Sequence, residues 1–222
     1  MIHGFGCSWT AGAELTTWKH LYLHFLGEEY INYAKQGICL GQVLHILISN
    51  INKIKSTDTV ILDLPPDARM LDEDAEQGFY TVSTYQLEKY ERLLCNKTLE
   101  WFRYHHALNI YTIQKLLDDI GCKYLMWHTY GRLEYKKYNL PIDDNKFLST
   151  SSMTEILNGH QGDFDNYPSV LEAPQSVMHG VELADGGITG DIFTGIYFEG
   201  CENHPNELGH RKIAELILHK IG

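Results

Sequence analysis

Met1-Ile2-His3-Gly4-Phe5-Gly6-Cys7-Ser8-Trp9-Thr10-Ala11-Gly12 opens the chain and decides its fold. The pattern predicts a short apolar strand that runs into a glycine-rich turn, after which the residues become helical in character. Such a strand–turn–helix unit is how α/β enzymes expose a nucleophile, because the turn lifts the side chain off the sheet edge and the helix N-terminus offers free backbone N–H groups. The alternative is a plain strand–turn–helix unit in which Ser8 is buried.

The composition excludes several classes of protein. A chain of 222 residues is long enough for one α/β domain with a full core. The formal net charge of −11 argues against a nucleic-acid partner, which needs a basic surface, and against anionic membrane surfaces. The 5 cysteines form no C-x-x-C pair, so neither a disulfide framework nor a zinc site is indicated.

Targeting signals are also missing from the sequence pattern. No charged segment followed by an apolar stretch opens the chain, and no run approaches the roughly 20 apolar residues of a membrane span. We therefore expect a cytoplasmic protein with reduced thiols and no membrane association.

Strands and helices alternate along the chain. After the opening strand, further strands are predicted at residues 29–33, 59–64 and 122–128, and helices at 14–26, 40–54, 85–120 and 205–221. Gly121 is expected to end the third helix as a C′ glycine. Residues 67–83 are polar and acidic and are predicted to form a loop. Residues 139–200 are the least regular and are interpreted as a long insertion in a single domain spanning 1–222.

Alternating strands and helices predict a mostly parallel sheet covered on both faces. Ligands of such sheets bind outside the carboxyl ends of the strands. Ser8, Gly37, residues 65–69 and His128 all follow predicted strands. We therefore expect them to gather at one edge of the sheet.

The C-terminal segment supplies what a nucleophilic serine lacks. It reads Glu202-Asn203-His204-Pro205, with a carboxylate two residues before a histidine at the entry to the last helix. A serine hydroxyl is a weak nucleophile until an imidazole takes its proton, and that imidazole must itself be oriented.

Three segments together resemble the sequence blocks of the SGNH (GDSL) hydrolases. Gly6-Cys7-Ser8-Trp9-Thr10 resembles the first block, residues 32–37 (Asn-Tyr-Ala-Lys-Gln-Gly) the second, and Glu202-Asn203-His204-Pro205 followed by Gly209-His210 the last. The blocks cover the chain from end to end in the family's order. The G-C-S-aromatic-T form of the first block is most similar to divergent members from bacteriophages and bacteria.

The resemblance implies a flavodoxin-like three-layer α/β/α sandwich and a serine esterase that needs no metal or organic cofactor. By the resemblance, Ser8 is the nucleophile and His204 the base. We expect Glu202, the nearest carboxylate before His204, to be the acid that orients it. The backbone N–H groups of Ser8 and Gly37 form the oxyanion hole. The implied substrates are short acyl esters, including O-acetyl groups on carbohydrates.

Three departures from the family pattern keep an alternative open. Cys7 stands where the family usually has Asp, and Glu202 lies two residues before the histidine instead of three. The third block lacks its oxyanion-hole Asn, for which Arg69 is the substitute donor we consider. The alternative is a non-catalytic protein of the same fold that is structural or binds carbohydrate, such as a virion component with assembly partners.

Other residues carry weaker hypotheses. Cys7 is a second candidate nucleophile, although a cysteine on the strand side of the turn is more often packed. His20 and His24 have the spacing of metal ligands, but no third ligand lies nearby in sequence, so a metal-dependent hydrolase is the weakest alternative. His128 is a candidate to line the site, and His210 is expected to pack within the last helix. Asp63 and Asp67 are equally open to structural and functional interpretations.

Overall fold

The structure, a computed structural model, describes residues 1–12, 15, 19, 21–27, 29–66, 69–74, 78–83, 99–129, 135–149, 152–157 and 204–221. Three predicted segments lie outside this set. They are residues 85–98 of the predicted third helix, most of residues 14–21 of the helix predicted at 14–26, and residues 158–203 of the irregular region and last block. Glu202, Asp67 and His20 therefore lie outside the described residues.

The described strands form a parallel sheet and a separate hairpin. They are β1 (Ile2–Phe5), β2 (Tyr30–Asn32), β3 (Thr59–Leu64), β4 (Arg69–Asp74), β5 (Gly78–Ser83) and β6 (Lys123–His128). The sheet has the order β2-β1-β3-β6, and all three pairings are parallel. This is the strand order of the flavodoxin-like doubly wound fold. In that fold, strands are added to the sheet on one side of β1 first and then on the other, so the order reverses between β1 and β3.

Helices cover both faces of this sheet. They are α1 (Ser8–Ala11), α2 (Tyr22–Phe25), α3 (Leu40–Asn50), α4 (Leu99–Ile120), α5 (Met153–Leu157) and α6 (Glu207–Ile221). On one side α3 packs against α4, and on the other α2 packs against α6. Right-handed crossovers place these helices on opposite faces of the sheet. From β1 to β2 the chain moves towards one edge of the sheet, and from β2 to β3 it moves towards the other. The predicted α/β fold with three layers is confirmed.

The core lies between the sheet and its two helical layers. In β3, the side chains of Val60, Ile61 and Leu62 are fully buried. A central parallel strand has no solvated face, so its residues do not alternate between apolar and polar, and the buried Asp63 is an exception in an apolar run. The helices contribute buried aliphatic side chains to the same core, among them Val43, Leu47, Ile110, Ile113, Leu117, Ile213 and Ile217.

A buried charge cluster fixes the start of β1 against β3. The Asp58 carboxylate accepts from the N-terminal amine at 3.3 Å, from the Lys55 backbone N–H at 2.9 Å and contacts His3 Nε2 at 3.1 Å. The Lys55 N–H, together with His3 and the amine, lowers the pKa of Asp58. These contacts fix the first residue of the chain relative to the central strand.

Several predicted elements are confirmed by the described residues. β3 has the predicted bounds, β2 and β6 lie within theirs, and the predicted helix at 40–54 ends as α-helix at Asn50 and continues as a 3-10 turn, Ile51–Lys53. Gly121 has φ 73 and its N–H donates to Leu117 O at 3.1 Å, as expected of a C′ glycine.

The prediction of a loop at 67–83 is wrong. Arg69–Asp74 and Gly78–Ser83 pair as an antiparallel hairpin with Arg69 opposite Ser83. The acidic residues in the first strand concealed it, because they have low strand propensity on their own. The Phe-Tyr-Thr-Val run at 79–82 was the available signal.

The start of the irregular region packs onto the sheet. Phe147 forms a parallel bridge with Met126 of β6, and the Gln114 side chain exchanges hydrogen bonds of 3.0 and 2.8 Å with the Asp143 backbone. Thr154 donates its backbone N–H to Thr129 O at 3.2 Å. No helix among the described residues is long and apolar enough to cross a bilayer.

Candidate functional site

The first turn of α1 presents Ser8 at the carboxyl end of β1. Cys7 is the N-cap residue with extended backbone, and its C=O accepts from Ala11 N at 2.9 Å. Gly12 ends the helix with φ 71. Ser8 is half-buried, whereas its neighbours Cys7 and Trp9 are each 1% exposed. The turn therefore packs the residues on either side of the serine and leaves the serine itself the more accessible.

Asp63 lies directly beneath this turn. It is fully buried at the end of β3, and its Oδ2 accepts from Cys7 N at 3.3 Å, Cys7 Sγ at 3.1 Å and Thr10 Oγ1 at 3.3 Å. Its other oxygen is hydrogen-bonded to the Thr129 hydroxyl, which follows β6. Three adjacent strand ends thus meet at one carboxyl group.

Gly6 permits the close approach of Asp63. A Cβ at this position would lie 2.5 Å from Asp63 Cβ and 2.9 Å from Thr10 Oγ1, and the backbone has φ +155. A side chain here would displace the carboxyl group or the turn, so the first glycine before the serine is required by packing.

Burial raises the pKa of Asp63, which also has hydrogen bonds with Thr129 and Cys7. The backbone N–H groups of Cys7 and Thr10 lower the pKa of Asp63 by hydrogen bonding to it. The first N–H groups of a helix have no intrahelical acceptor. The role of the Ser8 N–H in the oxyanion hole stays a prediction.

The loop after β2 is joined to the same turn. Asn32 donates through Nδ2 to Thr10 O at 2.7 Å, and Lys35 N donates to Gly6 O at 3.2 Å. Gly37 follows in this loop, exposed and with φ 71, a conformation that favours glycine. The structure brings the first two predicted blocks together, and the role of the Gly37 N–H stays a prediction.

The last helix approaches the turn through a buried aromatic contact. His210, 1% exposed, stacks on Tyr22 with ring centroids 6.0 Å apart, and the Tyr22 hydroxyl lies 3.1 Å from Thr10 Oγ1. Burial, reinforced by the nearby His204, lowers the pKa of His210 to about 3. His210 therefore stays neutral at physiological pH, which agrees with the expectation that it packs within the helix.

His204 stands just before α6. Asn206 caps this helix, since its Oδ1 accepts from Gly209 N at 3.0 Å. The cap fixes the chain direction two residues after His204, whose side chain is half-buried. His204 lies near enough to His210 to lower its pKa, and contacts run from His210 through Tyr22 and Thr10 to the turn that carries Ser8.

The remaining candidates are placed as follows. Cys7 is buried with its thiol directed to Asp63, which fits a packed role and not an exposed nucleophile. His128 is buried at the end of β6, where it stacks on Phe147 at 5.2 Å. Arg69 begins β4. Glu202, the predicted acid, lies outside the described residues.

A second buried histidine adjoins His128. The His106 ring lies 6.3 Å from that of His128, and burial followed by the effect of His128 lowers the pKa of His106 to about 3. Within the part of the chain that the structure describes, no group of His, Cys, Asp or Glu residues is arranged to hold a metal ion.

The sequence missed the network around Asp63. Thr10, Tyr22, Asn32 and Thr129 were not singled out, and their contacts with the turn join residues far apart in sequence. The available signal was an acidic residue inside an otherwise apolar strand. A carboxyl group in that position must find buried partners.

Comparisons with known proteins find a likeness in structure but none in sequence. No protein-family model matches the chain, and no curated protein matches its sequence. A solved structure, the lipase Lip_vut3 from goat rumen metagenome, superposes over 99% of this chain and 96% of its own with a TM-score of 0.45 and 11% identity.

Proposed function

We propose that this protein is a serine esterase of SGNH type that hydrolyses short acyl esters, including O-acetyl groups on carbohydrates. The observation that carries the proposal is the position of Ser8. It is half-buried on the first turn of α1, directly after β1, at the point where the strand order reverses. Open α/β sheets bind their ligands at that crevice.

In the proposed mechanism, Ser8 Oγ attacks the ester carbonyl carbon while His204 takes its proton. The backbone N–H groups of Ser8 and Gly37 stabilise the oxyanion of the tetrahedral intermediate. That intermediate collapses as His204 protonates the departing alcohol. Water then attacks the acyl-enzyme with His204 again as base, which releases the acid and restores the serine.

Glu202 orients His204 and stabilises its protonated form in this scheme. The acid of a catalytic triad keeps the imidazole in the correct tautomer and does not itself become protonated. Without the family's Asn, two backbone donors remain to stabilise the oxyanion. The loss of one oxyanion donor costs about 10²–10³ in rate in a serine protease, so we expect a slow esterase.

A fluorophosphonate probe tests the proposal. We expect covalent labelling of the wild-type protein at Ser8, and none of Ser8→Ala. Ser49→Ala is the matched control, because Ser49 is exposed on α3, where its hydroxyl donates to His45 O of the same helix. Labelling that persists in Ser8→Ala, or is absent from the wild type, would contradict an activated serine.

One observation favours the non-catalytic alternative. β3 ends in Leu64-Pro65-Pro66, which supplies no amide side chain at the position where the family has its Asn. Under this alternative the same crevice binds carbohydrate or an assembly partner without turning it over. An unlabelled wild-type protein that still binds acetylated sugar would support it.

A further inference from the structure

The Asp63 carboxyl is the most enclosed polar group of the site. It is fully buried, and its hydrogen-bond partners in the described part of the chain come from Cys7, Thr10 and Thr129. None of these side chains carries a positive charge. An ionised carboxylate without a cationic partner is costly in such a place.

The Thr129 hydroxyl indicates where a proton resides. Its Oγ1 lies 3.0 Å from Leu64 O and also contacts Asp63 Oδ1. A hydroxyl has one proton, and a backbone carbonyl only accepts. Both contacts are hydrogen bonds when Thr129 donates to Leu64 O and Asp63 donates to Thr129.

The second oxygen of Asp63 has the opposite role. Oδ2 faces the Cys7 backbone N–H, the Cys7 thiol and the Thr10 hydroxyl, each of which donates to it. It therefore acts as the acceptor that fixes the turn on both sides of Ser8. One oxygen donates and the other accepts, which is the hydrogen-bonding pattern of a protonated carboxylic acid.

We propose that Asp63 is a positioning residue for Ser8 and works as a neutral carboxylic acid, donating through Oδ1 to Thr129 and accepting through Oδ2 from the turn. This inference rests on the proposed esterase function. A neutral acid holds the turn without placing a negative charge beneath the site where the oxyanion develops. An anion there would oppose the charge that the oxyanion hole stabilises.

The surroundings of Asp63 support the neutral form. Burial raises the pKa of Asp63 above its usual range. The titratable groups that face it are the Cys7 thiol from the turn and the Tyr22 phenol from α2. Burial raises the pKa of Tyr22 well above its ordinary value, so that phenol stays neutral too.

Two substitutions separate the neutral acid from a carboxylate. Asp63→Asn retains one donor and one acceptor, so it mimics the neutral acid. Asp63→Leu removes both. Asp119→Asn is the matched control, because Asp119 is exposed near the end of α4.

The first readout is the fluorophosphonate reaction of Ser8. We expect Asp63→Asn to label within about threefold of wild type, and Asp63→Leu to show a maximum labelling rate lowered about a hundredfold with an unchanged half-saturating probe concentration. An equal loss of labelling rate in the two variants would overturn the proposal that Asp63 is a neutral acid. Wild-type labelling by Asp63→Leu would overturn the positioning role.

The second readout does not depend on activity. The backbone N–H groups of Cys7 and Thr10 donate to Asp63. Their hydrogen-exchange rates should rise about tenfold or more in Asp63→Leu and stay near the wild-type rates in Asp63→Asn. Should the wild type fail to react with the probe, the proposed function fails while exchange still decides the positioning role. Unchanged exchange in Asp63→Leu would overturn it.

Thr129→Val and Thr129→Ser keep the test decisive if Asp63→Leu does not fold. Removing the hydroxyl leaves the Asp63 proton without its acceptor, so Thr129→Val should raise amide exchange at Cys7 and Thr10 and slow labelling. Thr129→Ser retains the hydroxyl and should behave as wild type. Identical behaviour of the Val and Ser variants would contradict the donor role of Asp63.

Discussion

At the scale of single residues, polar side chains in this protein are buried close to the candidate site. Asp63, Thr10 and His210 are all fully or almost fully enclosed, and each meets a residue from another element. Buried polar groups that are paired stabilise one arrangement, because any alternative leaves them unsatisfied. Their burial also makes stability depend on pH.

We predict that His210→Phe reduces the loss of stability in acid. Burial lowers the pKa of His210 to about 3, against about 6.5 in the unfolded chain. Between these values the unfolded chain binds a proton that the folded protein excludes, so stability falls as pH decreases below about 6.5. His210 alone accounts for about 1.6 kcal/mol between pH 6.5 and 5.

Urea unfolding of the two proteins across this pH range measures the difference. At the acid end of the range, the slope of the free energy of unfolding against pH should be about 1.4 kcal/mol per pH unit smaller in His210→Phe. Each proton bound only by the unfolded state contributes that amount. His219→Gln, exposed on the same helix, should keep the wild-type slope. Parallel curves for wild type and His210→Phe would show that His210 titrates normally in the folded protein.

At the scale of elements, the sequence predicted the central strand better than the hairpin. Thr59–Leu64 is apolar and bounded by Asp58 and Pro65, which is sufficient to predict a buried parallel strand. Arg69–Asp74 gains its strand conformation from pairing with Gly78–Ser83. Pairing is a contact between segments, and local composition does not reveal it.

The start of α6 supplies a prediction at this scale. Asn206→Ala should lower the free energy of unfolding by about 1 kcal/mol, because Gly209 N loses its side-chain acceptor at the N-cap. Chemical denaturation at neutral pH measures the change. Asn206→Asp should retain most of the stability, since its carboxylate also accepts from that N–H and favours the positive end of the helix.

A matching effect is expected at the candidate site. The cap sets the geometry of the chain that leads from His204 into the helix, so Asn206→Ala should also slow labelling of Ser8 while Asn206→Asp should not. Equal stability of the alanine variant and wild type would show that another group caps α6.

At the scale of the whole molecule, the candidate site is assembled from strand ends that are distant in sequence. Spacing and residue type were sufficient to nominate Ser8, Gly37 and His204, because the chain order of strands, helices and short motifs carries that information. The same reasoning could not find the partners of Asp63, which come from the turn after β1, from α1 and from the residue after β6. Those contacts depend on the register of β1 and β6 against β3.

The last prediction concerns catalysis by the complete protein. We expect hydrolysis of p-nitrophenyl acetate, and much slower hydrolysis of long-chain esters, because the proposed substrates carry short acyl groups. The rate should rise with pH through the range in which an imidazole loses its proton, since only neutral imidazole accepts the proton of Ser8.

Wild type and Ser8→Ala at matched concentration decide whether this activity belongs to the site. The protein has 12 histidines, and exposed imidazoles hydrolyse activated esters slowly without any organised site. Such background chemistry would survive in Ser8→Ala and in Ser49→Ala alike. The proposed mechanism instead requires that the rate fall to background in Ser8→Ala and remain at the wild-type level in Ser49→Ala. Equal slow release of product by all three proteins would leave the fold with a binding function and no esterase activity.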